Sequence, residues 1–153
     1  MILYEVSLIC KKIAKRRDMM TMTGQCLCGS VSYSVSGEPK MTGVCHCKNC
    51  QRQSGSAYSV LFGVTNDQIE VEGDLTTYED SSETGNLVER HFCGKCGSPV
   101  LTTVPTQPGF TFVKAGTLDD TAVLAPQIHF WTKSAQKWVE INPEMPQIEG
   151  NPG

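Results

Sequence analysis

Seven cysteines in three tight groups, Cys26-Leu27-Cys28, Cys45-His46-Cys47-Lys48-Asn49-Cys50 and Cys93-Gly94-Lys95-Cys96, are the residues whose type and spacing point to chemistry. Short spacings present thiolates to a metal, whereas disulfide frameworks scatter their cysteines along the chain. A Cys-x-x-Cys turn brings two sulfurs to one zinc ion without strain, and Gly94 and Gly97 free the backbone for such a knuckle. A Cys-x-Cys pair on a strand projects both sulfurs to one side, which is the expectation for Cys26 and Cys28. Cys45, Cys47 and Cys50 combine both devices, so one short segment can give three sulfurs to a single metal.

Ligand number then separates two kinds of site. Seven sulfurs fill one four-coordinate site and leave three for another; closed sites are structural, and sites with a free position do chemistry. The preferred partition gives the closed site to Cys26, Cys28, Cys93 and Cys96 and the open one to Cys45, Cys47 and Cys50. Spacing alone leaves a rival open, a zinc ribbon of Cys47, Cys50, Cys93 and Cys96. His46, between Cys45 and Cys47 in an extended segment, is expected to point away from their metal into a supporting or packing role. His91 and His129 fall in predicted strands as satisfied, partly buried histidines. Cys10 lies outside every group and receives no role.

The elements that must position these residues read as β-structure. Val31, Tyr33 and Val35 share one face of a strand, and the stretch Leu87 to Phe92 alternates in the same way. Further candidate strands are Tyr58–Val64, Gln68–Glu72, Leu75–Tyr78, Val100–Val104, Phe110–Ala115, Ile128–Trp131 and Trp138–Ile141. Turn signals such as Ser36-Gly37-Glu38-Pro39 and Glu72-Gly73-Asp74 separate them. The pattern predicts mostly antiparallel strands with two short helical turns, one at Lys48 to Ser54 closed by Gly55 and one opened by Asp119-Asp120-Thr121.

The chain of 153 residues suits one domain, expected over residues 23–142, between an N-terminal extension at 1–22 and a polar, Pro-rich tail at 143–153 that wraps or frays. In the extension an apolar start precedes Lys11, Lys12, Lys15, Arg16 and Arg17, the reverse of a secretion signal. Beyond residue 20 there are 8 Lys and Arg against 14 Asp and Glu, a net charge of −6. So acidic a body is a poor match to a phosphate backbone and argues against nucleic acid. No uninterrupted apolar run of about 18 residues predicts a membrane span, and the expected location is cytoplasmic. Asp119 and Asp120 read as a helical cap rather than an acid/base pair, and Trp131 and Trp138 as packing aromatics. A redox role for Cys93 and Cys96 would require them to be free of metal.

The motifs resemble the glutathione-dependent formaldehyde-activating enzymes, whose wider group includes centromere protein V. The likeness is carried by Gly24-Gln25-Cys26-Leu27-Cys28-Gly29, Cys45-His46-Cys47-Lys48-Asn49-Cys50-Gln51-Arg52, Arg90-His91-Phe92-Cys93-Gly94-Lys95-Cys96-Gly97, Ala115-Gly116-Thr117-Leu118-Asp119-Asp120 and His129-Phe130-Trp131. The resemblance implies a β-tent-like fold and two zinc ions per chain, a structural one on Cys26, Cys28, Cys93 and Cys96 and a catalytic one on Cys45, Cys47 and Cys50. It further implies a carbon–sulfur lyase that joins a thiol, glutathione or a similar one, to formaldehyde or another small aldehyde, giving S-hydroxymethylglutathione in the family reaction. Arg52 and Arg90 are the candidates to receive glutathione's carboxylates. The competing reading is a non-catalytic, zinc-stabilised module that binds a protein or chromatin partner. Oligomeric state is not legible.

Overall fold

The computed structural model describes residues 20–150; the N-terminal basic segment and Cys10 lie outside them. Eleven strands form two sheets. β1 (Thr21–Gln25), β2 (Ser32–Ser36) and β5 (Ile69–Glu72) make an antiparallel three-stranded sheet. The larger sheet runs β11 (Gln147–Ile148), β10 (Ile128–Phe130), β3 (Met41–Cys45), β4 (Ser59–Thr65), β9 (Phe110–Lys114), β8 (Pro99–Thr103), β7 (Leu87–Cys93) and β6 (Leu75–Ser81). Among the described residues the one α-helix, α1 (Lys48–Ser54), follows β3 and ends where Gly55 takes the left-handed conformation, φ 62°. No helix among the described residues is long and apolar enough to cross a membrane.

Period-two alternation gives each face of the large sheet its own task. On one face Phe62, Val64, Leu101 and Val113 join Met22, Tyr33 and Val35 of the small sheet, and Val31 just before β2, in a single apolar core. The other face is fixed by register: Cys45 lies opposite Ser59, Leu61 opposite Lys114, Phe112 opposite Thr102, and Thr102 opposite Arg90. Strand pairing therefore lays Cys45, Ser59, Leu61, Lys114, Phe112, Thr102 and Arg90 across one surface, although they come from five strands.

Several local expectations are corrected. Trp138–Ile141 is no strand: Val139 N–H donates to the Gln136 carbonyl at 3.0 Å in a turn, and the Trp138 ring is 72% exposed. The strands β1 and β3 escaped the periodicity because each carries an internal glycine, Gly24 and Gly43, which weakens the strand signal. Gly43 has a purpose, since a Cβ there would lie 2.7 Å from Phe130 Cε2; its absence lets the Phe130 ring rest on the sheet. The pairing is mostly antiparallel, as expected, with β10 running parallel to both β3 and β11. The Pro-rich segment after residue 142 wraps back to supply β11.

Phe62, with 0% of its surface exposed, sits on the core face and away from the cysteines. Phe62→Ala is expected to destabilise the fold by about 3–5 kcal/mol through the cavity it leaves. Denaturant unfolding checks this, read as a lower midpoint with an unchanged slope.

Candidate metal and catalytic site

The described cysteines are free thiols and gather into two groups, Cys26 with Cys28, Cys93 and Cys96, and Cys45 with Cys47 and Cys50. Within each group the sulfurs lie within 4.8 Å of one another. The ribbon combination is split between the groups. Tetrahedral zinc with sulfurs at about 2.3 Å requires neighbouring sulfurs about 3.8 Å apart. Cys26 to Cys28 is 3.6 Å and Cys28 to Cys93 is 3.7 Å, so the four-sulfur set fits such an ion.

Each group is built by local backbone. Cys26 and Cys28 lie in the turn between β1 and β2, not on a strand as expected; Gly29 N–H bonds to the Cys26 carbonyl at 3.0 Å, and Cys26 Sγ accepts from Val31 N–H at 3.3 Å. The second pair occupies the β7–β8 turn, closed by Gly97 N–H on the Cys93 carbonyl at 2.8 Å. Ser98, 3.2 Å from Cys96 Sγ, holds that thiol down to about 5. Ser30 does the same for Cys28, lowering it from the ordinary thiol range. Both shifts favour the thiolate, the form that binds metal.

In the second group Cys45 ends β3, Cys47 caps α1 and Cys50 lies in its first turn. Cys47 Sγ accepts from Cys50 N–H at 3.3 Å. The capping conformation of Cys47, not strand alternation, aims these two sulfurs together. His46 is turned away, fully buried, with Nε2 2.8 Å from His129 Nδ1 and its ring stacked on His129. Burial lowers both histidines from the usual imidazole value. His91 is held by Thr77 at 2.9 Å and Thr103 at 2.8 Å. Asp120 caps Ala122 N–H at 3.0 Å and Asp119 accepts from Thr23 at 2.7 Å; neither lines the site.

Around the three thiols is a cavity of about 510 Å³. Arg90, 5% exposed, donates from Nε to Asp80 Oδ2 at 2.7 Å and points Nη1 at Cys50 Sγ, 4.0 Å away. Asn49 of α1 donates to both Asp80 oxygens, at 3.1 and 3.0 Å, fastening the helix to β6. Lys114, also 5% exposed, has no carboxylate partner and donates from Nζ to Ser59 Oγ at 2.9 Å. Burial pulls Lys114 below the ordinary lysine range, and the charge of Cys50 opposes that fall. Hydrogen bonds from Cys45 and Cys47, then the charges of Lys114 and Arg90, push Cys50 down. Thr102 lines the cavity, and its Oγ1 is buried and without a hydrogen-bond partner among the described residues. Arg52 is exposed and does not reach the cavity.

Sequence reading missed Lys114, Thr102, Asp80 and Asn49. A signal for Lys114 was present: in Phe110–Lys114 it shares a face with Phe110 and Phe112, an odd companion for two phenylalanines unless something charged lies opposite.

Comparisons with known proteins agree with this architecture. A protein of Halomonas elongata, whose name provisionally gives a glutathione-dependent formaldehyde-activating enzyme, is 29% identical over 128 residues, 80% of this chain and 82% of that one. A crystal structure of a Rhodobacter sphaeroides protein shares the fold at a TM-score of 0.53 and 20% identity, covering 83% of this chain and 99% of that chain. Residues 21–134, which include both cysteine groups, match the family model described as glutathione-dependent formaldehyde-activating enzyme, and the chain belongs to that family.

Proposed function

We propose that the protein is a zinc enzyme of the carbon–sulfur lyase type, adding a thiol to formaldehyde or another small aldehyde in the cavity beside Cys45, Cys47 and Cys50. The observation that carries this reading is a three-sulfur cluster opening onto a cavity, beside a four-sulfur cluster tucked between turns. Cys26, Cys28, Cys93 and Cys96 would hold a structural zinc ion, and Cys45, Cys47 and Cys50 a second one. Zinc in the three-sulfur set supplies a Lewis-acidic position that lowers the pKa of a substrate thiol and keeps its sulfur nucleophilic.

The chain's own residues account for charge and orientation. Three thiolates and a divalent ion leave one negative charge, and the Arg90–Asp80 pair adds none. The ammonium of Lys114 balances the remainder, a physical reason for burying a lysine with only a serine hydroxyl as partner. In the net reaction the thiol sulfur loses its proton and forms the C–S bond. The carbonyl pair moves to oxygen, and oxygen takes up one proton. Lys114, on the cavity lining, is the donor that can face this developing oxyanion. Gln51 holds the segment in place, donating to the carbonyls of His46 at 2.7 Å and Ser134 at 2.9 Å.

Two measurements test the reading. In Cys47→Ser the chain is expected to fold and lose turnover, with metal content falling from close to two zinc ions per chain to close to one. Cys96→Ser is expected to prevent stable folding, because structural zinc binding is folding energy. Equal loss of folding in both variants would sink the assignment of separate roles. Lys114→Met, which keeps volume and removes the charge, is expected to lower kcat about 10²-fold, the effect of deleting an oxyanion donor. Hemithioacetal formation followed by NMR above the spontaneous rate checks this, and an unchanged kcat would remove Lys114 from the mechanism.

A further inference from the structure

The cavity is larger and less polar than a one-carbon aldehyde needs. Formaldehyde occupies a small corner of about 510 Å³, so most of the space faces the body of the thiol. Its walls include Met41, Leu61, Val88, Val104, Phe112 and Phe130, with Trp131 alongside. Phe130 and Trp131 are consecutive, and an extended chain would send their side chains to opposite faces. Trp131 instead adopts φ 54° and ψ 42°, the only positive φ of a non-glycine among the described residues. That conformation is unfavourable for a bulky residue and brings both rings onto the same lining. Glu83 of the β6–β7 turn then accepts from Trp131 Nε1 at 3.1 Å and fixes the indole.

The charges on the lining narrow the ligand further. Arg90 is matched by Asp80 at 2.7 Å, Glu83 by Lys133 at 3.2 Å, and Lys114 is buried and donates to Ser59 Oγ at 2.9 Å. Lys40 is exposed, and among the described residues its side chain has no bonded partner. Glutathione brings two carboxylates and an ammonium. One cation without a bonded partner can receive a single carboxylate, and the other charges would meet apolar walls and neutral groups such as Ser82, Asn86 and Gln107 but no opposite charge left unpaired, which is unfavourable.

We infer that the thiol taken by this site has a compact apolar body of arylalkyl type carrying at most one anionic group, which Lys40 receives. The inference rests on the thiol–aldehyde reading and names its substrate class. The aromatic walls stack on the thiol's ring, the cysteine group takes its sulfur end, and Lys40 selects for one carboxylate.

Trp131 and Trp138 are the two tryptophans of the chain, so a Trp138→Phe background makes Trp131 the sole emitter. Zinc-loaded protein in this background is titrated with phenylmethanethiol, 4-(mercaptomethyl)benzoate and glutathione. Half-saturation of the Trp131 signal by the aryl carboxylate is expected at about one-tenth of the glutathione concentration, on the apolar area each buries. Lys40→Gln should erase the advantage of the carboxylated over the uncarboxylated aryl thiol, and Val104→Asn should weaken both. Glutathione saturating at an equal or lower concentration, or no saturable signal from either aryl thiol, overturns the inference. NMR assays of the same thiols with formaldehyde keep the two ideas apart: if none is accelerated, the proposed reaction fails while the emission titration still ranks the ligands.

Discussion

The two sheets are brought together where sulfurs from both meet at one point. Cys26 and Cys28 belong to the turn of the small sheet, Cys93 and Cys96 to a turn of the large one, and Cys28 and Cys93 are 65 positions apart in sequence. A metal held there is a cross-link between sheets rather than within one, closing a long loop that chain entropy would otherwise oppose. Apolar burial alone joins the sheets over a limited area, since the three-stranded sheet offers little more than Met22, Tyr33, Val35 and the partly buried Ile69, with Val31 at its edge. The register shift in β7 between His91 and Phe92 comes just before Cys93, at the place where the strand must leave the ladder to present its sulfur.

With the sheets fixed, the reactive half follows from alternation. The core face uses one parity of each strand, so the other parity is exposed as a surface that α1, β10 and the β6–β7 turn enclose. Asn49 and Gln51, one on each side of Cys50, tie α1 to β6 and to the segment after β10. The cysteine set is therefore positioned by two polar anchors as well as by its own helix, and its electrostatics come from Arg90 and Lys114 on distant strands.

Legibility in the sequence followed the range of the interactions. Local signals were read well: the alternation of Val31, Tyr33 and Val35, the helix ending at Gly55, the Asp120 cap and the grouping of the sulfurs are all set within a few residues. The cavity was not legible, because Lys114, Thr102 and Arg90 become neighbours only through strand register. Cys26 and Cys28 were placed on a strand because alternation and a tight turn can deliver the same pair of sulfurs, and spacing does not distinguish them. Arg52 looked as promising as Arg90, yet one faces solvent and the other the thiols; helix phase decided the first and sheet pairing the second.

The chain order of the cavity has a kinetic consequence. Every cysteine precedes residue 97, whereas Phe130 and Trp131, and the β11 strand that braces β10, come late. During synthesis both thiol sets emerge from the ribosome well before the segment that walls them in. Both thiol groups can therefore meet a metal ion while the chain is still open, before the apolar wall is laid over Cys45, Cys47 and Cys50.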